Sequence, residues 1–181
     1  MYSGATGAHL RTHNAPSTRE GIRFGWPVVG IPDFDGDGVM DYLISTRWDE
    51  LPGEPTNAGA AYLYSGRTGE LIRVLSSPHP EMQGCFGSAV AGVPDSNGDG
   101  LGDILIGSSE SAIPPIGTYT GRAYQFLSCR ADWNGDWFFD SNDFFDFLTS
   151  LFTGDADFNH DGRTNSQDFF DYLGAFFVGC G

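Results

Sequence analysis

The residues best placed to do chemistry are acids at alternate positions. "DFDGDGVMD" carries Asp33, Asp35, Asp37 and Asp41, and "DSNGDGLGD" carries Asp95, Asn97, Asp99 and Asp103 in the same phase. Like charges this close repel, so a folded chain gathers them only around something that neutralises them. A hard dication such as Ca²⁺ takes six to eight oxygens from carboxylates, carbonyls and water. Glycines at the bends let a short loop supply them. The inward set is then Asp33, Asp35, Asp37 and Asp41 with the Val39 carbonyl in one loop, and Asp95, Asn97, Asp99 and Asp103 with the Leu101 carbonyl in the other. Mg²⁺ fits less well, because it keeps more of its water. An acid-rich solvated turn would explain the composition, but not the shared phase.

Two further stretches, "DWNGDWFFDSND" from Asp132 and "DFNHDGRTNSQD" from Asp157, match the ligand positions 1, 3, 5, 7, 9 and 12 of an EF-type loop. The second offers Asp157, Asn159, Asp161, the Arg163 carbonyl, Asn165 and Asp168, with Gly162 at position 6. The first offers Asp132, Asn134, Asp136, the Phe138 carbonyl, Asp140 and Asp143, but has Trp137 at position 6. That turn wants a positive φ, which costs a bulky residue roughly 1 kcal/mol or more, so a weaker or distorted site is expected there. Four Ca²⁺ ions would bring the formal charge from −15 to −7, making much of the acidity structural.

Other chemistry is poorly provided for. The net charge of −15 and the absence of lysine exclude nucleic acid and anionic membranes as partners, and exclude Schiff-base and P-loop chemistry. His9, His13, His79 and His160 form no HExxH, no GxSxG elbow is present, and the acids outside the loops sit in no recognisable catalytic setting. The chain reads as non-enzymatic. No apolar run spans a bilayer, so no membrane insertion is expected. No basic-then-apolar leader follows Met1. Cys85 reads as a small buried residue and not a nucleophile.

The elements that must position these loops come in two periods. A shift of 62 residues lays "FGWPVVGIPDFDGDGVMDYLIS" from Phe24 on "FGSAVAGVPDSNGDGLGDILIG" from Phe86, and "GAAYLYSG" from Gly59 on "GRAYQFLS" from Gly121. Short apolar runs between Gly, Pro, Asn and Asp clusters predict β-strands, with "SGRTG" as a hairpin turn. Four strands per unit predicts propeller blades, the alternative being a β-sandwich with a duplicated hairpin. Past Leu127 a shift of 25 residues takes over, laying Asp132 on Asp157. Here the spacing predicts two helices, with apolar faces Phe144, Phe145, Leu148, Leu151, Phe152 and Phe169, Phe170, Leu173, Phe176, Phe177. Ser141 and Ser166 are suited to cap their N-termini and Gly154 and Gly179 to close them. The boundary falls near Ser128, giving units 1–128 and 129–181.

The repeats resemble the FG-GAP repeats of integrin α-subunit propellers, on Phe24-Gly25, Phe86-Gly87, Gly30, Gly92 and the two acidic loops. The resemblance implies that each acidic loop joins the first two strands of a blade, in a ring usually of seven. Residues 1–128 hold a partial blade, one full blade and most of a second. A ring does not close on that, so the expectation is the C-terminal part of something longer, or self-assembly through open blade edges. The loop-helix pairs resemble a type I dockerin, of the kind ending planctomycete surface proteins, on "SCRADWNGD", "FFVGCG" and the two loops. That resemblance implies a cohesin-like partner or cell-surface component facing Ser141, Asn142, Ser166 and Gln167, which otherwise merely cap helices. Cys129 and Cys180 bracket the module and read as a disulfide clamping its ends, the alternative being two free thiols. A disulfide argues for an oxidising compartment.

The expected fold is thus mainly β, incomplete propeller blades followed by a small α-helical module with paired EF-hand-type loops. The expected function is a non-catalytic, calcium-binding extracellular or cell-surface adhesion or scaffold protein. The alternative is the non-catalytic C-terminal part of a larger secreted polysaccharide hydrolase. A calcium sensor fits poorly, since sensors expose methionine-rich grooves and no methionine follows Met82.

Overall fold

The computed structural model describes residues 1–110, 120–136 and 138–180. Its first sheet is antiparallel in the order β1 (Val28–Gly30), β2 (Tyr42–Thr46), β3 (Ala60–Tyr64), β4 (Leu71–Leu75). Its second follows in the order β5 (Ala89–Val93), β6 (Asp103–Ser108), β7 (Arg122–Phe126). The 62-residue repeat is kept as register: Val29 faces Leu43 and Ala91 faces Leu105, while Ile44 faces Tyr62 and Ile106 faces Tyr124. Each repeat therefore folds locally in the same way, and strand pairing carries the two acidic loops to equivalent places, between β1 and β2 and between β5 and β6.

Strand period sorts the side chains. Leu43, Leu63 and Leu75 join Ile31, Phe86, Ile104 and Ile106 in one buried core, while Tyr42, Ile44, Tyr62 and Tyr64 form a second cluster on the other face of the first sheet. Phe86 is fully buried, with its ring 5.9 Å from those of Tyr124 and Phe126. Its burial contributes roughly 1.5–3 kcal/mol. Gly87, which follows it, has φ +85°, and a Cβ there would lie 1.9 Å from Ser45 Oγ. Only glycine lets the backbone come that close, and Ser45 Oγ uses the approach to donate to the Gly87 carbonyl at 2.8 Å. The Phe-Gly pair is thus where one sheet is tied to the next.

Two helices follow, α1 (Ser141–Thr153) and α2 (Ser166–Val178). Their core is Phe147, Ala156, Phe158 and Tyr172, with Trp133, Phe144, Leu151, Phe169 and Phe176 packed around it. The expected apolar faces are partly corrected. Phe145, Phe152, Phe170 and Phe177 are exposed, and the fully buried rings are Phe147 and Tyr172. The phase is set by Asp143 and Asp168, which must turn into their loops. The residue one turn on from each, Phe147 or Tyr172, then points inward as well.

The caps are corrected too. The N-caps are Asp140 and Asn165, and Ser141 and Ser166 are already the first helical residues. The extended backbone of Asp140 and Asn165 aims their side chains at the N–H groups of Asn142 and Gln167, at 2.6 and 2.8 Å. Asp143 and Asp168 answer from N3, completing two capping boxes. Gly154 closes α1 in the left-handed region, and the Gly179 N–H bonds back to Ala175. Cys129 and Cys180 are disulfide-bonded, Cα atoms 5.2 Å apart, across 51 residues. Closing a loop of that length contributes about 4 kcal/mol in the chain-entropy model.

Candidate metal centres

The four loops share their wiring. The first aspartate takes backbone N–H bonds, on both oxygens in Asp33 from Gly36 and Gly38, both at 2.8 Å, in Asp95 from Gly98 at 2.6 Å and Gly100 at 2.9 Å, and in Asp157 from Asp161 at 3.0 Å and Gly162 at 2.8 Å, and on Oδ1 in Asp132 from Asp136 at 3.0 Å. The second member, Asp35, Asn97, Asn134 or Asn159, accepts from the N–H two residues on at 3.0–3.3 Å. The third, Asp37, Asp99, Asp136 or Asp161, accepts from Val39, Leu101, Phe138 or Arg163 at 2.8–2.9 Å. These bonds fold each loop inward upon its own carboxylates.

The closing aspartates are the buried ones. Asp41, Asp103, Asp143 and Asp168 are at most 2% exposed. Asp41 accepts from Phe34 and Gly66, and Asp103 from Ser96 and Ser128, all at 2.7–2.9 Å. Asp143 accepts from Asn134 and Asp140, and Asp168 from Asn159 and Asn165. Among the described residues none of the four closing aspartates is in an ion pair. Burying a charge without a counter-charge is costly, so these sites call for a cation.

The donor set fits one. Asp33, Asp35 and Asp37 each offer a carboxylate oxygen, all within 4.8 Å of one another. Oxygens sharing a Ca²⁺ at 2.3–2.6 Å lie at most about 5 Å apart. Burial, and then the charges of Asp41, Asp37 and Asp33, push Asp35 up to about 6. Burial also raises Asp41 and Asp143. Asp95 is instead held low by the N–H groups of Gly100 and Gly98. Trp137, on which the expected weakness of the first helical loop turns, lies outside the described residues.

Several participants were not legible in the acid spacing. Gly66 and Ser128 close Asp41 and Asp103 through their N–H groups, and the 62-residue shift pairs them, so the repeat itself was a usable signal. The Ser128 hydroxyl also bonds Asp99 and Asp103 at 3.2–3.3 Å. Asn97 reaches further with its amide, donating to the Ser128 and Cys180 carbonyls at 2.8 and 3.2 Å. The second repeat loop is thereby joined to the disulfide. Arg67 bonds Asp37 from Nε at 3.1 Å, and Arg73 of β4 pairs with Asp132 at 3.6 Å. Arg73, Asp132, Asp35 and Trp133 line a cavity of about 330 Å³ between the first repeat loop and β4 on one side and the loops of the helical unit on the other. Ser141, Asn142, Ser166 and Gln167 are all exposed.

No protein-family model matches the chain. It is similar to integrin alpha-E of Mus musculus, 32% identical over 100 residues that make up 50% of this chain and 8% of that protein. It is likewise similar to integrin alpha-10 of Homo sapiens, 31% over 103 residues, 54% of this chain and 8% of that protein. A third relative is integrin alpha-X of Mus musculus, 33% over 92 residues, 48% and 7%. These similarities support an FG-GAP-like repeat region over half the chain. The chain spans less than a tenth of the length of these curated relatives.

Proposed function

We propose that this chain is a non-catalytic, calcium-stabilised adhesion or scaffold protein of the extracellular space or cell surface. In this reading residues 1–128 are propeller blades whose loops Asp33–Asp41 and Asp95–Asp103 each hold Ca²⁺. Residues 129–181 are a dockerin-like module holding Ca²⁺ in loops Asp132–Asp143 and Asp157–Asp168, with Val39, Leu101, Phe138 and Arg163 lending carbonyls. The observation that carries it is the common wiring of four loops, each ending on a buried aspartate that lacks a basic partner among the described residues. The bound ion would neutralise those carboxylates, and the chain's own hydrogen bonds hold them converged before it arrives.

The similarity to integrin alpha chains supports an adhesion-type role outside the cell. The disulfide supports an oxidising compartment. Among the described residues no helix is long and apolar enough to cross a membrane. The exposed Ser141, Asn142, Ser166 and Gln167 are the residues through which a cohesin-like partner would be gripped. Calorimetric titration of chelator-stripped, oxidised protein with calcium, followed by far-UV circular dichroism, tests the reading. Three or four sites with helix gained on loading are expected. No binding at millimolar calcium would overturn it.

A further inference from the structure

Two arginines and two tryptophans meet at the end of β2 remote from its acidic loop. The Arg23 guanidinium lies 3.9 Å from the Trp48 ring centroid and 5.6 Å from that of Trp26. Arg47 lies 4.8 and 5.5 Å from the same two rings. Each cation is thus shared between both indoles. Backbone ties hold the set in place. The Gly25 and Trp26 N–H groups donate to the Ser45 carbonyl at 3.1 and 3.3 Å, and the Thr46 hydroxyl donates to the Ile22 carbonyl at 2.6 Å. Arg23 is exposed, and so is 57% of Trp26.

The 62-residue repeat shows that the fold does not call for this cluster. The second repeat makes the same three ties. Its Gly87 and Ser88 N–H groups donate to the Gly107 carbonyl at 3.1 and 3.2 Å, and the Ser108 hydroxyl donates to the Gly84 carbonyl at 2.7 Å. At the places of Arg23, Trp26, Arg47 and Trp48 it carries Cys85, Ser88, Ser109 and Glu110. Arg23 and Cys85 share a left-handed backbone, with φ +57° and +52°. The equivalent turn is therefore built with neither cation nor indole at these places.

The two positive charges are not answered from within. Among the described residues neither Arg23 nor Arg47 is in an ion pair, and the Arg47 Nε is buried with no hydrogen-bond partner. The acids that follow in sequence are engaged elsewhere: Glu50 pairs with Arg19, and Asp49 is buried with the Tyr62 hydroxyl 3.5 Å away. A guanidinium stacked on an indole keeps its N–H edges free for a planar anion. The acidic loop precedes Tyr42 and the cluster follows Thr46, so the five residues of β2 separate them, roughly 17 Å of strand. That is about two Debye lengths at physiological salt. The chain's net negative charge opposes a dense polyanion but acts weakly on one or two carboxylates bound here.

We propose that Arg23, Arg47, Trp26 and Trp48 form a binding site for an acidic sugar, whose carboxylate meets the guanidiniums and whose C–H face lies on the exposed Trp26 ring. An acidic peptide would need the arginines alone, whereas a sugar ring also uses the indole. The site gives the adhesion reading a ligand class and rests on that reading for its place outside the cell. It does not rest on the calcium sites, which stand at the other end of β2.

Calorimetry and two-dimensional NMR of the full, oxidised chain in saturating calcium test this. The probe is digalacturonate, compared with uncharged galactobiose, the dipeptide Glu-Glu and sodium sulfate. Digalacturonate should bind and shift the Nε–H resonances of Arg23 and Arg47 and the indole N–H of Trp26, and the three comparison compounds should not displace it. Arg23→Gln and Arg47→Gln should each weaken it on the order of tenfold, the worth of a charge-assisted hydrogen bond. Trp26→Ala should weaken it with both arginines in place. Unchanged calcium binding in these variants reports an intact fold, and the wild-type resonances decide the matter without them. Glu-Glu or sulfate binding as tightly as digalacturonate would overturn the sugar assignment. No shift at Arg23, Arg47 and Trp26, or shifts elsewhere only, would overturn the site and leave the calcium and adhesion readings standing. Absence of calcium binding in wild type would overturn the reading of the loops and not this one.

Discussion

Phe147 and Tyr172 stand at equivalent positions of the 25-residue repeat and stack on one another, ring centroids 3.9 Å apart and planes 11° from parallel. Trp133 and Phe158, also equivalent, pack edge-on around the stack. The module core is thus one aromatic set contributed twice, each half burying what the other exposes. Tyr172→Ala should cost about 3–5 kcal/mol, as large aromatic truncations do. Tyr172→Phe should cost only about 1 kcal/mol, the hydrogen bond to the Ala131 carbonyl. Thermal melts at 222 nm in saturating calcium would measure both. A loss below about 1 kcal/mol for Tyr172→Ala would mean the stack is not the keystone.

The stack also marks the limit of what the sequence made legible. The strands, their register and the acidic loops follow from a gapless 62-residue shift, because each repeat folds on local pattern. The helices are equally plain, but their phase is not. Phenylalanine is so frequent on both helices that periodicity admits neighbouring faces, and the inward pull of Asp143 and Asp168 decides between them. The capping error has the same origin, since Asp140 and Asn165 are loop members and caps at once. Arg73 and Ser128 act across the chain, and no local pattern announces them.

Asp168 tests the loop reading at its most buried carboxylate. It is fully buried and accepts from Asn159 and Asn165. Asp168→Asn removes the charge and leaves one of those N–H groups poorly satisfied, at a cost of about 1–3 kcal/mol. Titration of the variant should show one calcium site fewer. Asp171→Asn, whose carboxylate accepts from the loop member Asn159 and from Gln167 but is not itself in the ligand set, should keep the full number. If Asp168→Asn retains every site, the loop does not bind as argued.

Gly87 tests the tie between the sheets. Its φ is +85°, and an alanine Cβ there would stand 1.9 Å from Ser45 Oγ, so Gly87→Ala combines backbone strain with a clash. A destabilisation of about 3 kcal/mol is expected. Gly4→Ala, where nothing lies within 4 Å, should be near neutral. Denaturant melts of the two variants would show the contrast, and equal midpoints would refute it.

The disulfide should matter beyond its own module. Asn97 of the second repeat loop donates to the Cys180 carbonyl, so reduction frees a contact of that loop as well as the chain end. Reduction should lower the stability of the helical unit by up to about 4 kcal/mol. It should also weaken calcium at Asp95–Asp103 while sparing Asp33–Asp41. Titrations with and without reductant, in Asp33→Asn and Asp95→Asn backgrounds that each leave one repeat loop intact, would separate the two. Equal weakening of both repeat loops would point to general unfolding instead.

His13 supplies a pH dependence of defined sign. Its ring packs on Tyr64, centroids 4.3 Å apart, and its Nε2 lies 2.7 Å from the Tyr42 hydroxyl. Burial, then Arg11 and the terminal amine, hold it below its ordinary value of 6.5. The folded chain therefore prefers the neutral ring, and the unfolded chain binds more protons. That contribution is present in full above pH 6.5 and is lost as the pH falls through the depressed folded value. His13→Phe cannot be protonated and keeps the aromatic contact with Tyr64. In saturating calcium its stability should fall less than that of wild type between pH 7 and pH 5, about the range in which an ordinary histidine titrates. Parallel slopes for the two proteins would show that His13 titrates alike in the folded and unfolded chains.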